Sequence, residues 1–247
     1  KEGQKIPQVI QGSPDMSNLN AADLTIGIVG AGAMGRGIAQ VSITGGMKAL
    51  LFDAADGAAA KAEEFIHGML DRNVDKGRME AADAEAAKSR LSVVSTLEGL
   101  APCNLVVEAI VENIAIKQEV FTSLEKVVAD DAIIASNTSS IRIASIAAAC
   151  ERKDRIAGLH FFNPVPLMRL VEVIRAPHTS DKTADTLIEI GKFMGRTPVI
   201  AKDGPGFLVN LGGRAYTTEA MRLLHEGVAS PVQIDAVMRD CCNFRMG

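Results

Sequence analysis

Tryptophan is absent from the 247-residue sequence and tyrosine occurs once, so aromatic residues make up only 4% of the chain. An interior of this kind must be filled by Ala, Val, Ile, Leu and Met, which suits helices packed on a sheet. Positive charge is not in excess. With 26 Lys and Arg against 30 Asp and Glu, the formal net charge is -4, which excludes a surface built to displace counterions from nucleic acid or from an anionic membrane. An anionic ligand must therefore be met locally. Long apolar runs are lacking too: Leu24 to Gly35, the uncharged stretch around the first glycine motif, is 12 residues long, short of the roughly 18 that span a bilayer. The four cysteines, Cys103, Cys150, Cys241 and Cys242, show no CxxC or metal-ligand spacing, and the last two are adjacent, a poor geometry for an ordinary disulfide. No metal is expected, and a reducing, cytoplasmic location is. A charged-then-apolar leader is also missing. The chain starts at Lys1, so Met16 is the expected natural start and Lys1 to Asp15 an added segment, set aside for fold reasoning.

What is present is 47% hydrophobic residues, in a length that predicts one large domain or one domain and part of another. Short β-branched runs alternate with Ala-rich helical patterns, which predicts an α/β fold with a doubly wound, mainly parallel sheet covered on both faces. The expected strands are Leu24–Val29, Lys48–Phe52, Leu91–Val94, Asn104–Glu108, Ala132–Ala135, Arg155–Leu159, Leu170–Ile174 and Pro198–Ala201. Helices are expected near 33–45, 55–76, 79–88, 114–128, 141–149 and 180–194, with Ala81–Ala87 an exposed helix. Past Asp203-Gly204-Pro205-Gly206 the pattern is helical only, up to Gly227, and a further helix is expected from Val232 with Ser230 as N-cap and Pro231 at its first position. The expected organisation is a tail over 1–22, a dinucleotide-binding domain over 23–203 and the beginning of a helical domain over 204–247. About 40 residues are too few to close a helical core alone.

Gly30-Ala31-Gly32-Ala33-Met34-Gly35 follows the first strand and opens a helix, the context that gives a GxGxxG pattern its meaning. Gly30 permits the tight turn, Gly32 lets the backbone approach a pyrophosphate, and Gly35 lets the helix pack close to the strand. The N–H groups at the helix start, around Ala33 and Met34, bind the anion. Asp53 ends the second strand, 23 residues beyond Gly30, where a carboxylate accepts hydrogen bonds from ribose hydroxyls and repels a 2′-phosphate. The cofactor read from this is NAD rather than NADP, in a Rossmann-like domain.

After the sixth strand comes His160-Phe161-Phe162-Asn163-Pro164-Val165-Pro166, followed by a strand containing Glu172. Taken alone, a His at a strand end is more often structural than functional. If the two strands are neighbours, however, Glu172 returns beside His160, and the carboxylate can fix the imidazole tautomer and stabilise its protonated form. The His can then take a proton from an alcohol as hydride leaves the same carbon.

With these residues in view, the sequence resembles the L-3-hydroxyacyl-CoA dehydrogenase family, including the 3-hydroxybutyryl-CoA dehydrogenases, from about residue 24 to 247. The resemblance is carried by the glycine turn with Asp53, Glu108-Ala109-Ile110-Val111-Glu112, Ser136-Asn137-Thr138-Ser139-Ser140, the His160–Asn163 segment with Glu172, and Asp203-Gly204-Pro205-Gly206-Phe207-Leu208-Val209-Asn210. It implies an NAD-dependent oxidoreductase interconverting (3S)-3-hydroxyacyl-CoA and 3-oxoacyl-CoA, with an acyl-CoA substrate. His160 is implied as general base for oxidation and acid for reduction, with Glu172 as its orienting partner. Ser136 and Asn210 are implied to donate hydrogen bonds to the substrate's C3 oxygen, Asn163 to help position substrate or nicotinamide, and Glu112 and Lys117 to line the cofactor cleft. For the CoA phosphates, Lys61, Arg72, Lys76 and Arg78 are candidates with no basis for choosing among them.

Two departures stand out. Family members usually carry Arg after the Asn of the Pro-Gly-Phe segment, whereas here Leu211-Gly212-Gly213 follows Asn210. The family's helical domain also continues beyond Met246-Gly247, so this chain is expected to hold only its start; the family dimerises through that domain, which implies a homodimer for the full-length protein. Two other readings stay open: a β-hydroxyacid dehydrogenase relying on a catalytic Lys, and a catalytically silent NAD-binding structural or regulatory homologue.

Overall fold

The computed structural model describes residues 19–246; the expected added segment and natural start lie outside them. Eight strands form one sheet: β1 (Thr25–Val29), β2 (Lys48–Phe52), β3 (Leu91–Val93), β4 (Leu105–Glu108), β5 (Ile133–Ser136), β6 (Ile156–Phe161), β7 (Leu170–Arg175) and β8 (Thr197–Lys202). Their spatial order is β3-β2-β1-β4-β5-β6-β7-β8. Strands β1 to β6 pair in parallel, β7 runs antiparallel to β6, and β8 is parallel to β7. The order reverses between β1 and β4, on either side of which consecutive strands step outward. That is the switch point where a doubly wound sheet opens a crevice at its carboxyl edge.

Between the strands run α1 (Ala33–Thr44), α2 (Ala58–Asp75), α3 (Ala81–Lys88), α4 (Ile114–Val127), α5 (Ile143–Ala147) and α6 (Asp181–Phe193). The period-two pattern divides the core. Leu105 and Val107 of β4 join Ile38 of α1, Ile66 of α2 and Leu187 of α6 in one cluster. Val106 points the other way, where a side chain added at Gly27 would also meet Leu100 and Cys103. Local chemistry starts the helices where the sequence suggests: the Asn113 side chain accepts from Ala115 and Ile116 N–H to begin α4, and Ser180 accepts from Thr183 N–H to begin α6. Asp203 caps α5 from 60 residues away, accepting from Ile143 N–H at 2.9 Å and Ala144 N–H at 2.8 Å.

Two expectations need correction. Helix α3 is not simply exposed, because Ala84 and Ala87 are buried in the core. Strand β6 runs on to Phe161, so His160 lies inside the strand rather than after it. The antiparallel partner is the reason: pairing of Leu159, His160 and Phe161 with Val173, Glu172 and Val171 supplies the ladder that keeps β6 extended.

Residues up to Asp203 form one compact unit, and those from Gly204 form a second. The second holds α7 (Val209–His225) and α8 (Pro231–Ala236), with a π-helical turn over Val237–Cys241. Ser230 and Gln233 make a reciprocal capping box at the start of α8, with Pro231 in the first turn. Helix α7 passes unbroken through Gly212 and Gly213.

Candidate active site

The glycine turn has only one residue type that fits. Gly30 has a φ of +104°, and a Cβ there would lie 2.6 Å from the Ala109 carbonyl oxygen; at Gly35 it would lie 1.7 Å from the Gly30 carbonyl oxygen. Turn, β4 edge and helix start are thus held at backbone contact distance. At Gly32 the reverse applies: a Cβ would meet nothing within 4 Å. This open space lies in front of the first turn of α1, whose N-cap Gly32 provides no side chain to satisfy the leading N–H groups. Such a cradle fits a pyrophosphate. Ala33 and Met34 are the first two residues of the helix. Asp53 follows β2 directly, its carboxylate accepting from Ala31 N–H at 2.6 Å and Ala55 N–H at 2.8 Å. Each oxygen keeps a further lone pair for a ribose hydroxyl. A groove of about 540 Å³ runs past Gly30, Gly32, Asp53, Ala109 and Ile110. The residues present therefore fit a dinucleotide, with the glycine turn suited to a pyrophosphate and Asp53 to a ribose.

Register brings the proposed proton-transfer pair together. His160 and Glu172 are directly opposed across β6 and β7, and His160 Nδ1 lies 2.6 Å from Glu172 Oε2. Glu172 is fully buried and His160 is 5% exposed. With Nδ1–H donating to the carboxylate, the tautomer is set and the ring lone pair is on Nε2. The Phe162 ring, tilted and 4.5 Å away between centroids, packs on the imidazole. Asn163 is exposed on the connection that follows.

A second buried pair stands at the neighbouring strand ends. Glu108, the last residue of β4, is fully buried. It accepts from Lys117 Nζ at 2.6 Å, from Ile110 N–H at 2.7 Å and from the Ser136 hydroxyl at 2.7 Å. Lys117, only 1% exposed, also approaches Glu112 at 3.3 Å. Glu112 accepts from the hydroxyls of Thr138 and Ser140. Partial burial pushes the Glu112 carboxyl up, but the Thr138 hydroxyl, the Lys117 charge and the Ser140 hydroxyl outweigh it and hold the group below the usual carboxylate range.

This geometry changes two sequence expectations. Ser136 does not present a hydroxyl proton to a ligand: it is fully buried, its proton goes to Glu108, and its oxygen accepts from Thr138 N–H at 3.1 Å. On the same Ser136–Ser140 run it is Ser139 and Ser140 that are exposed. Lys117 does not line a cleft surface either; it lies beneath Glu112, which is 41% exposed and is the member of the pair that reaches solvent. Glu108 was legible only as part of a motif. Its signal was a lone acid closing the apolar run Leu105-Val106-Val107, nine residues before a lysine: a charge at a buried strand end needs a partner. Asn210 belongs to the second unit, at the second position of α7. Among the described residues no His, Cys, Asp or Glu cluster has a metal-binding arrangement.

Two family models match along the chain: the NAD-binding domain of 3-hydroxyacyl-CoA dehydrogenase over residues 25–204, and the C-terminal domain of the same enzyme over residues 206–247. The chain belongs to the 3-hydroxyacyl-CoA dehydrogenase family. It is 44% identical to the mitochondrial hydroxyacyl-coenzyme A dehydrogenase of Sus scrofa, covering 89% of this chain and 72% of that protein. It is 40% identical to the 3-hydroxyadipyl-CoA dehydrogenase of Escherichia coli, covering 90% of this chain but only 47% of that protein, about half its length. In structure it is similar to the (S)-3-hydroxybutyryl-CoA dehydrogenase of Ralstonia eutropha, with a TM-score of 0.87 at 40% identity over 90% of this chain and 79% of that one. This is an oxidoreductase family, and its cofactor is NAD, as the glycine turn and Asp53 imply.

Proposed function

We propose that the chain interconverts (3S)-3-hydroxyacyl-CoA and 3-oxoacyl-CoA, with His160 as general base for oxidation and general acid for reduction. The observation that carries this reading is the buried His160–Glu172 pair at 2.6 Å, on the strand next to β5 at the carboxyl edge of the sheet. Bound NAD supplies a hydride acceptor, and NADH a hydride donor, for the substrate carbon bearing the oxygen. His160 Nε2 takes the hydroxyl proton, and the Glu172 carboxylate stabilises the imidazolium that results. Gly30, Gly32 and Gly35 with the N–H groups of Ala33 and Met34 hold the pyrophosphate, and Asp53 holds the ribose. Glu112 lines the cofactor cleft, and Asn163, exposed just beyond β6, positions substrate or nicotinamide. For a hydroxyl facing the ligand, burial favours Ser139 over Ser136.

The lysine-dependent alternative loses ground on one observation: Lys117, the buried lysine among the described residues, is committed to Glu108 and Glu112. All four cysteines are free thiols, which supports a reducing compartment such as the cytoplasm. The test is acetoacetyl-CoA with NADH, followed by loss of NADH absorbance. Turnover is expected, and His160→Gln lowers it about 10²- to 10⁴-fold, the worth of a positioned acid–base group. An unchanged rate removes His160 from this role.

A further inference from the structure

Glu108 receives three donors, and each comes from a different part of the cleft. Ile110 N–H belongs to the wall of the dinucleotide groove, Lys117 to α4, and Ser136 to the end of β5. The Glu108 backbone carbonyl accepts from Asn137 N–H at 2.8 Å, and the Asn137 side-chain oxygen accepts from Phe161 N–H at 2.9 Å, one residue from His160. A continuous set of hydrogen bonds therefore joins the groove wall, the Ser136–Ser140 loop and the strand bearing the imidazole, and Glu108 is where it branches.

We propose that Glu108 is a positioning residue that holds the cofactor wall and the loop beside His160 in a single mutual geometry. It touches no ligand; it acts through Ile110 and Ser136. A carboxylate is needed because all three side-chain partners are donors, and a carboxylate is the side chain that accepts from all of them without offering a proton of its own. Glutamine at this place would turn an NH₂ group toward one of the donors. Lys117 makes the buried charge tolerable, since an isolated carboxylate in this setting loses its solvation with nothing in return. The kcat arm of the test below rests on the dehydrogenase reading; the affinity arm does not.

Glu108→Gln should weaken NADH binding, read by cofactor fluorescence, by about 10-fold, the scale of a lost charge-assisted hydrogen bond, and lower kcat by at least as much. The pH dependence of the remaining activity should keep its wild-type shape, because the partner of His160 is Glu172. The double variant Glu108→Gln/Lys117→Met also removes the ammonium that has lost its nearer carboxylate and keeps only Glu112 at 3.3 Å; it should regain the wild-type melting temperature while NADH affinity stays low. Ser136→Ala cuts only the branch to the loop and should lower kcat with NADH affinity within about 2-fold of wild type, and it carries the test should Glu108→Gln fail to fold. Wild-type NADH affinity in Glu108→Gln overturns the proposal. So does recovery of affinity together with melting temperature in the double variant, the result expected of a role in stability alone. A wild-type chain that binds NADH but reduces no acyl-CoA would instead sink the dehydrogenase reading and leave the affinity comparison standing.

Discussion

Replacing Glu172 by glutamine is the most direct challenge to the proton-transfer assignment. The side chain keeps its shape, and its place opposite His160 in the register is set by backbone pairing. What changes is charge. A hydrogen bond to an ionised partner contributes about 1.5–3 kcal/mol and a neutral one about 1 kcal/mol. The imidazolium therefore loses about 0.5–2 kcal/mol of stabilisation, or roughly 2- to 30-fold in the rate of a step that forms it. A second loss adds to this. The glutamine amide can donate to Nδ1, which moves the imidazole proton to Nε2 and leaves no lone pair there to accept from the alcohol; a wrong tautomer of this kind can cost orders of magnitude. Together the two effects predict a fall in kcat of about 10²-fold or more, with the KM for acyl-CoA little changed because Glu172 is fully buried. Thermal melting checks that the variant is folded, because removing the charge from one member of a buried pair itself costs stability. Steady-state kinetics with acetoacetyl-CoA and NADH, alongside thermal melting, gives both numbers. A folded Glu172→Gln protein with kcat within 5-fold of wild type would refute the reasoning.

Other predictions follow from separate parts of the structure. Asp53→Ser removes the carboxylate that repels a 2′-phosphate, so the ratio of kcat/KM for NADH over NADPH should fall by at least 10-fold, roughly the worth of one charged contact; no shift counts against the ribose assignment. Gly212→Ala and Gly213→Ala should each raise the stability of α7 by about 1 kcal/mol, read by denaturant melts, because both lie in a helix and an added Cβ meets nothing within 4 Å. Thiol titration should find Cys241 and Cys242 reacting rapidly in the folded protein and Cys103 and Cys150 only after unfolding, since the last two are buried and desolvation pushes each thiol up to about 12. The sign of the linked pH effect is fixed: the unfolded Cys103 thiol ionises near 8.5 while the folded one keeps its proton. The contribution of Cys103 to stability is therefore complete below that pH and declines above it by about 1.4 kcal/mol per pH unit, a decline that Cys103→Ala should remove, leaving that of Cys150.

The sheet was legible because its strands are short β-branched runs bounded by turn residues, and the cofactor turn because steric necessity at Gly30 and Gly35 leaves glycine as the fitting residue. The His160–Glu172 pairing was legible as a condition: the sequence shows two strands and a stiff connection, and antiparallel register supplies the rest. What failed concerns which way a side chain turns. A serine at the end of an apolar strand gives no clue to whether its hydroxyl points outward or inward. Ser136 turns inward because Glu108 waits there to accept, and Glu108 can be there only because Lys117, nine residues on, arrives from a helix to meet it. Each of the three placements depends on the other two, so no local pattern reveals them singly. In the same way a Glu and a Lys five residues apart, Glu112 and Lys117, look like a solvated helix pair until the burial of one of them is known.

The distribution of these buried charges bears on what they are for. Replacing a buried ion pair by apolar residues of similar volume is often neutral or stabilising, so a fold under no other demand has little reason to keep two. Here Glu108 with Lys117, and Glu172 with His160, stand at or beside the edge formed by the carboxyl ends of β4 and β6, with β5 between them, where a doubly wound sheet binds its ligand. Elsewhere the one buried arginine among the described residues, Arg155, makes no carboxylate pair; the two terminal nitrogens of its guanidinium donate to the backbone carbonyls of Glu125, in the last turn of α4, and of Ala129 and Ala132 beyond it, while its Nε finds no partner. Away from that edge, then, the buried charge of Arg155 is met by backbone carbonyls alone, and the buried acid–base pairs are gathered at one edge. That contrast predicts opposite outcomes for two apolar replacements. Substituting methionine for Arg155 should lower the melting temperature and leave kcat within about 2-fold, while Glu108→Leu/Lys117→Met should preserve or raise the melting temperature and lose activity. Loss of kcat in the first, or full activity in the second, would show that burial of charge at this edge serves the scaffold and not the reaction.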